Sequence, residues 1–572
     1  MALDQRNIAV IAHIDAGKTT LTEQLLYCTG ATVFAGSVDE GSTVTDWKRQ
    51  EQERGVTIGS AAVSTSHRGV EITIVDTPGH VDFQYEVSRS LICCEGALLL
   101  VDAFQGVEAQ TVANAFLAME HDLKIVPAIN KIDLQNARVD EVSEEIDQSL
   151  GINAEELLLV SGKSGIGTGE LLDAIIDRVP APEGDVDAPL QAMVFDSHYD
   201  EYRGAITYVR LMNGTVKRGE KIRFLRADKT YEVVELGQFV PQQESCDALQ
   251  AGQVGYLICN IKSLQTVHIG DTVTSVKAEE VEPLPGYQEP KRMVYCGLYP
   301  SDGQDFSELR DALSKLAIND PSFEFEPESS DALGFGFRCG FLGLLHMEIV
   351  QQRLEQESDV DLVQTAPNVT YEITTKTGEV LEIHRPQQVP DAGDIEEFRQ
   401  PIVRVNIVLP IESIGPAMKL CQDRRGVYKV TEYLSPTRAM LTYDLPLAEV
   451  IYDLHDKIKS ATRGYGTMDY EVQGYFPADL VRMDIMVNGT RVDALSVICD
   501  RADADPRGRA VVKKLKTEID RHMFEVAVQA AIGSRVIARE TVPAFRKNVT
   551  AKCYGGDISR KRKLWAKQRE GK

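Results

Sequence analysis

At 572 residues the chain has room for roughly three to five domains of 100 to 200 residues each, so a single small binding module is excluded. Hydrophobic residues at 43% and charged residues at 26% are the proportions of an ordinary globular protein, not of a disordered, collagenous or membrane-embedded chain. The net charge of −26 excludes a uniformly basic nucleic-acid coat, but ten Lys or Arg against two acids give residues 546–572 a local +8.

From Asn7 to about Pro180, short apolar runs alternate with helix-length amphipathic segments, the pattern of a doubly wound α/β domain over residues 1–182. Strands are predicted over 8–12, 71–75, 97–101, 125–129 and 157–160, and helices over 18–28 and 108–120. The Pro, Gly and acid content of residues 180–189 marks a linker. Residues 190–282 read as short strands with Gly-containing turns, the composition of a small β-barrel. Two split β-α-β (ferredoxin-like) modules follow, over 290–375 and 400–485, the first closed by a strand at 369–374 and the second carrying a helix over 447–461. Residues 486–572 form a mixed C-terminal domain with a basic tail whose order the pattern does not give. The predicted class is therefore α/β and α+β multidomain. Ten cysteines without a C-x-x-C pair, no apolar leader before Asn7 and no apolar run near 18 residues predict a cytoplasmic, reduced protein without a membrane span; a monomer is expected. Peripheral attachment to the inner face of the cell membrane stays open. Cys93 and Cys94 are assigned to a helix as small core contacts.

The chemistry is concentrated in the first domain. Between its first strand and first helix stands Ala12-His13-Ile14-Asp15-Ala16-Gly17-Lys18-Thr19-Thr20, a phosphate-binding loop with Ala12 where the first glycine usually falls. Backbone N–H groups and the helix amino end suit β-phosphate oxygens, Lys18 suits β and γ charge, and the Thr19 hydroxyl suits Mg²⁺. Asp76-Thr77-Pro78-Gly79-His80 follows the 71–75 strand: an acid there can hold a water on Mg²⁺, and Gly79 can turn its N–H toward a γ-phosphate. Asn130-Lys131-Ile132-Asp133 ends the 125–129 strand. The Asp133 carboxylate can accept from guanine N1–H and the 2-amino group, neither of which adenine offers, and such a polar readout discriminates by ~10⁴. Ser161-Gly162-Lys163 can add backbone contacts to the base oxygen. Singly, these segments read as a helix start, a β-turn, a polar loop and a glycine turn. In this order, each at a strand end, they predict GTP and not ATP.

These motifs, with Arg54-Gly55-Val56-Thr57-Ile58 between the first two, resemble those of the translational GTPases. The resemblance implies Thr57 as a second Mg²⁺ ligand and His80 as the residue that orients the attacking water. It also implies Ile14 and Ile58 as the apolar pair flanking that histidine, and the ribosome and tRNA as partners. The barrel followed by two split modules resembles elongation factor G, but only about thirty residues, 376–401, separate the modules, too few for that factor's large inserted domain. With a distinct C-terminal domain instead, the order is similar to the LepA family. The match is carried by Phe195 to Gly204, Ala332 to Glu348, Ala530 to Glu540 and Ala551 to Lys563. That resemblance implies back-translocation of tRNAs by one codon on mistranslocated or stalled ribosomes. Residues 1–68 look closer to elongation factor G or the ribosomal protection proteins, and the chain stops at Lys572 within a basic run that family members usually continue. Arg560, Lys561, Arg562 and Lys563 are the candidates for contact with ribosomal or transfer RNA. Two other readings stand beside this one: a GTP-gated assembly or initiation factor of the small subunit, and a ribosomal protection protein.

Overall fold

The computed structural model describes residues 4–38, 40–46, 48–55, 57–200, 202–240, 242–261, 267–278, 281–285, 292–301, 306–320, 322–330, 333–358, 360–451, 453–522, 525–544 and 558–570. Its first sheet has six strands in the order Ala61–His67, Val70–Asp76, Gln5–Ala12, Gly96–Asp102, Lys124–Asn130, Leu158–Leu159. The last five are parallel, and 61–67 pairs antiparallel on the edge. Ile8, Val10, Leu98 and Leu100 face one helix layer while Ala9, Ile11, Leu99 and Val101 face the other, so these strands are apolar on both sides. The last strand is shorter than the 157–160 span expected for it. Cys93 and Cys94 are buried but lie in a turn beyond the helix Gln84–Leu91, not in a helix.

Residues 191–275 curl an eight-stranded antiparallel sheet around a core that includes Val194, Val209, Phe224 and Leu257, a barrel-like second body. Buried Arg210 ties it to the first sheet through Glu95 at 2.6 Å. The next sheet, ordered Glu324–Ser330, Gly334–Phe341, Val294–Pro300, Leu362–Gln364, packs on the helices Phe306–Asn319 and Leu344–Ser358. This is a split β-α-β module. The strand expected to close it at 369–374 does not do so: Tyr371–Thr375 pairs with Val380–Ile383 and with the following module. The edge it was meant to occupy is taken by Leu362–Gln364.

The second module is built on the sixteen-residue strand Ile395–Pro410. Its first part pairs with Tyr371–Thr375, its second with Arg438–Pro446, and most of its length with Thr467–Pro477. At one end Val408 packs on Ala109 of the first domain, and at the other the Phe398 carbonyl accepts from the Ala478 N–H. The helix expected over 447–461 is two, Leu447–Ile451 and Leu454–Ala461. Asp453 between them has φ 55°, and its carboxylate pairs with Arg424 and Lys457, so the bend is held by charge rather than by glycine.

The C-terminal sheet, ordered Thr490–Asp500, Leu480–Val487, Val526–Ile532, Arg535–Val542, packs on the helix Arg501–Glu518. It begins at Leu480, six residues before the boundary expected at 486. Among the described residues no helix is long and apolar enough to cross a membrane.

Candidate functional site

The nucleotide-motif residues that sequence reasoning singled out in the first domain converge at the carboxyl ends of the parallel strands, where open α/β sheets hold ligands. The loop after Gln5–Ala12 turns into the helix Lys18–Cys28 through Asp15 (φ 62°) and Gly17 (φ 89°). A Cβ on Gly17 would stand 2.7 Å from the Asn130 amide, so only glycine fits there. Asn130 then ties two loops together: its Nδ2–H donates to the Ala16 carbonyl at 2.9 Å and its Oδ1 accepts from the Gly162 N–H at 2.9 Å. Lys131 reaches the Asp15 carbonyl at 2.5 Å and Asp102 at 2.7 Å. The Ile132 N–H donates to the Val160 carbonyl, joining this segment to the last strand. The Ser161 hydroxyl donates to Asp133 Oδ1 at 2.7 Å, which orients a carboxylate that is otherwise exposed. Lys163 is exposed beside it, and Thr20 is half-buried on the first helical turn.

At the phosphate end, Lys18 is buried and donates to the carbonyls of His13 (2.9 Å) and Ala12 (3.3 Å). Gly79 lies hard against it, since a Cβ there would be 2.5 Å from Nζ. The Thr19 and Thr57 hydroxyls are 3.1 Å apart, and Thr57 donates to Asp46 at 2.9 Å. Both Asp76 carboxylate oxygens are buried without a hydrogen-bond partner among the described residues. Burial, then the charge of Asp46, pushes the Asp76 carboxyl up to about 7; burial, then Glu51, pushes Asp46 up to about 6. Burial draws the Lys18 ammonium down to about 8 against the pull of Asp76. A hydroxyl pair beside an unpartnered carboxylate suits a hard, oxygen-loving divalent cation, and an ammonium desolvated next to them suits phosphate.

His80 follows directly. Its Nδ1 accepts from the Asp82 N–H at 3.1 Å, which leaves the neutral ring with its proton on Nε2. Burial lowers its pKa, with Asp82 opposing. The Ile14 backbone stands against Gly79, whereas Ile58 lines a cavity of about 800 Å³ between the first three bodies, and its N–H donates to Glu51.

Three groups of functional residues were missed. Glu23, fully buried in the P-loop helix, accepts from the N–H groups of Gly36, Val44 and Thr45 and pins the segment that leads to Thr57. Glu51 accepts from Lys48, Ile58 and Gly59 and shapes its far side. His13 pairs with Glu108 at 2.6 Å, and Glu108 with Arg438 of the second split module at 3.3 Å. A polar residue in a buried helical position was the available signal for Glu23; nothing local marks the others.

The basic residues Arg560, Lys561, Arg562 and Lys563 lie on the helix Ile558–Glu570, with Lys561 half-buried and the other three exposed. Residues 551–557 of the motif that contains them fall outside the described residues, as do Trp47, Val56, Ala332 and Lys572. Neutralising all four is expected to reduce ribosome affinity and to flatten the slope of log K against log salt by about 3 to 4. Binding measured at several salt concentrations checks this, and an unchanged slope removes the phosphate-contact role.

Four family models match the chain, beginning with elongation factor Tu GTP binding domain over residues 3–181 and elongation factor Tu domain 2 over 204–274. Elongation factor G C-terminus follows over 397–486, and GTP-binding protein LepA C-terminus over 487–572. Elongation factor 4 1 of Rhodopirellula baltica is 70% identical over 571 residues, covering 99% of this chain and 94% of its own. Elongation factor 4 of Desulforudis audaxviator is 51% identical over 572 residues, covering the same shares. A crystal structure of a protein from Thermus thermophilus superposes with a TM-score of 0.59 at 20% identity, over 83% of this chain and 97% of that one, which supports the fold alone. A guanine-nucleotide site with this geometry, inside full-length matches of that strength, makes the chain a member of the elongation factor 4 family, the ribosome-dependent GTP hydrolases of translation.

Proposed function

We propose that the chain holds Mg²⁺·GTP between the P-loop, Thr57 and the Asp76–Gly79 turn, and that His80 orients the attacking water when ribosomal RNA meets it. Thr19 and Thr57 would hold the cation directly, and Asp76 would hold it through water. Bound there, Mg²⁺ would supply positive charge against the negative charge that develops on the phosphates. Lys18 takes the phosphate charge left over, which offsets the cost of its burial, and Gly79 gives its N–H to the γ-phosphate. Asp133, aimed by Ser161, reads the guanine edge; Asn130 holds that reader and the phosphate loop in one frame, Lys131 lies along the P-loop, and Gly162 and Lys163 meet the base oxygen. Ile14 and Ile58 close around His80 only in the ribosome-bound state. The observation that carries this reading is His80 itself: a neutral imidazole with Nδ1 already occupied can only donate through Nε2, which positions a water rather than taking its proton.

Family membership supports the finer role as well. In it, the factor acts as a monomer on tRNA-bearing ribosomes in the cytoplasm and moves tRNAs back by one codon on mistranslocated or stalled complexes. Hydrolysis then releases Thr57 from the cation, Gly79 from the γ-phosphate and the factor from the ribosome. The test is γ-phosphate release from GTP and from ATP, with and without intact ribosomes. Slow intrinsic GTP turnover raised by ~10³-fold or more, with ATP inert, is the expected result. GTP binding without stimulation would overturn the reading. A toeprint of the ribosome on messenger RNA, shifted by one codon toward the 5′ end, tests the direction of movement.

A further inference from the structure

Asp82 lies two residues beyond His80, and its side chain belongs to two other domains. One carboxylate oxygen accepts from the Leu345 N–H at 2.8 Å, in the first turn of the helix Leu344–Ser358 of the first split module. The other accepts from the Tyr470 hydroxyl at 3.3 Å, on the strand Thr467–Pro477 of the second. An acid at a helix amino end meets otherwise unpaired N–H groups and the positive end of the helix dipole, so the first bond is charge-assisted. The fit is close enough to dictate sequence: a Cβ on Gly343 would overlap the carboxylate. That helix start is itself braced. His346 Nδ1 accepts from the Leu342 N–H at 3.1 Å, and its Nε2 pairs with Asp320 at 2.8 Å. Phe83 stands between the two histidines, with ring centroids 6.2 Å from His80 and 6.3 Å from His346.

While its side chain is held this way, the Asp82 main-chain N–H is the group that fixes the His80 ring. We infer that Asp82 is a positioning residue for His80: its carboxylate reads whether both split modules are seated on the GTPase domain, and its backbone passes that seating to the orientation of the imidazole. A chain whose modules are displaced loses the two anchors, and the N–H that holds Nδ1 moves with them. Ribosome binding, which bears on several domains at once, then steadies the ring through this seating as well as through the ribosomal RNA that meets it. This inference rests on the water-orienting role proposed above for His80.

The experiment uses the full chain with intact ribosomes and measures stimulated kcat beside equilibrium GTP affinity. Asp82→Ala is expected to lower kcat by about 10- to 100-fold, the cost of a misplacement near 1 Å, with GTP affinity unchanged. Asp82→Asn keeps an acceptor for Leu345 and is expected to recover most of the rate. Gly343→Ala, 263 residues from His80 in sequence, is expected to reproduce the loss because its methyl displaces the carboxylate. Combined with Asp82→Ala it should add nothing, and in a His80→Ala background Asp82→Ala should add nothing either. Multiplicative losses in that background, or a Gly343→Ala rate equal to wild type, would overturn the assignment. If Asp82→Ala fails to fold, the Gly343→Ala rate decides alone. Full stimulated turnover in His80→Ala alone would instead overturn the proposed function, so the two failures are distinguishable.

Discussion

Replacing His80 by alanine is expected to lower ribosome-stimulated GTP turnover by about 10²- to 10⁴-fold while the chain still binds GTP and ribosomes. In the proposed arrangement Lys18 and backbone donors hold the phosphates and the hydroxyl pair holds the cation, so removing the imidazole takes nothing from ground-state binding. The loss therefore falls on kcat. Burial lowers the His80 pKa from its ordinary value, with Asp82 opposing, which favours the neutral ring. The acid-side decline of the stimulated rate should accordingly lie at lower pH than for an ordinary histidine, because protonation must also displace the Asp82 N–H from Nδ1. A decline already under way at pH 7 would contradict this. The same variant divides the enzyme reading from the small-subunit assembly reading. If it binds ribosomes, has no GTPase and still supports subunit maturation, binding is the function and hydrolysis merely resets it.

Asp133→Asn is expected to weaken GTP by about 10⁴-fold and to favour xanthosine triphosphate. Guanine presents two donors to the carboxylate, and the amide can accept from only one while its own N–H₂ faces the other. Xanthine carries an oxygen at C2, which that N–H₂ can satisfy. Ser161 fixes the side chain at 2.7 Å, so the exchange is read with little rotational freedom. Competition between the two nucleotides for the variant checks it; an unchanged preference for GTP would place recognition elsewhere in the loop 161–163.

The nucleotide site was legible because each of its parts is local. The loop 13–17, the helix Lys18–Cys28 and the Asn130–Asp133 turn are short segments whose residue types answer one chemical demand each, and the helix ends where the pattern said. Thr57 and His80 were legible only by resemblance, since a threonine and a histidine in loops carry no period. The wiring around them was not legible at all. Asp82 meets Leu345 and Tyr470 across 263 and 388 residues, and Ala109 meets Thr467 across 358. No window of sequence contains such a pair. The edge strand Ala61–His67 was passed over because Ser64, Thr65 and Ser66 dilute its apolar pattern, and 369–374 was given to the wrong module because strand pairing across a loop is decided by the partner's free edge.

The strand Ile395–Pro410 has a mechanical consequence. Sixteen extended residues span about 50 Å; pairing runs along nearly all of that length, and over 402–408 it is on both sides. One end rests on the helix that begins at Ala109, next to the partner of His13; the other is bonded to the residues that enter the C-terminal sheet. It is a push-rod: a tilt of a few degrees at the nucleotide end becomes a displacement of several ångströms at the C-terminal end, because paired neighbours leave the rod little room to bend.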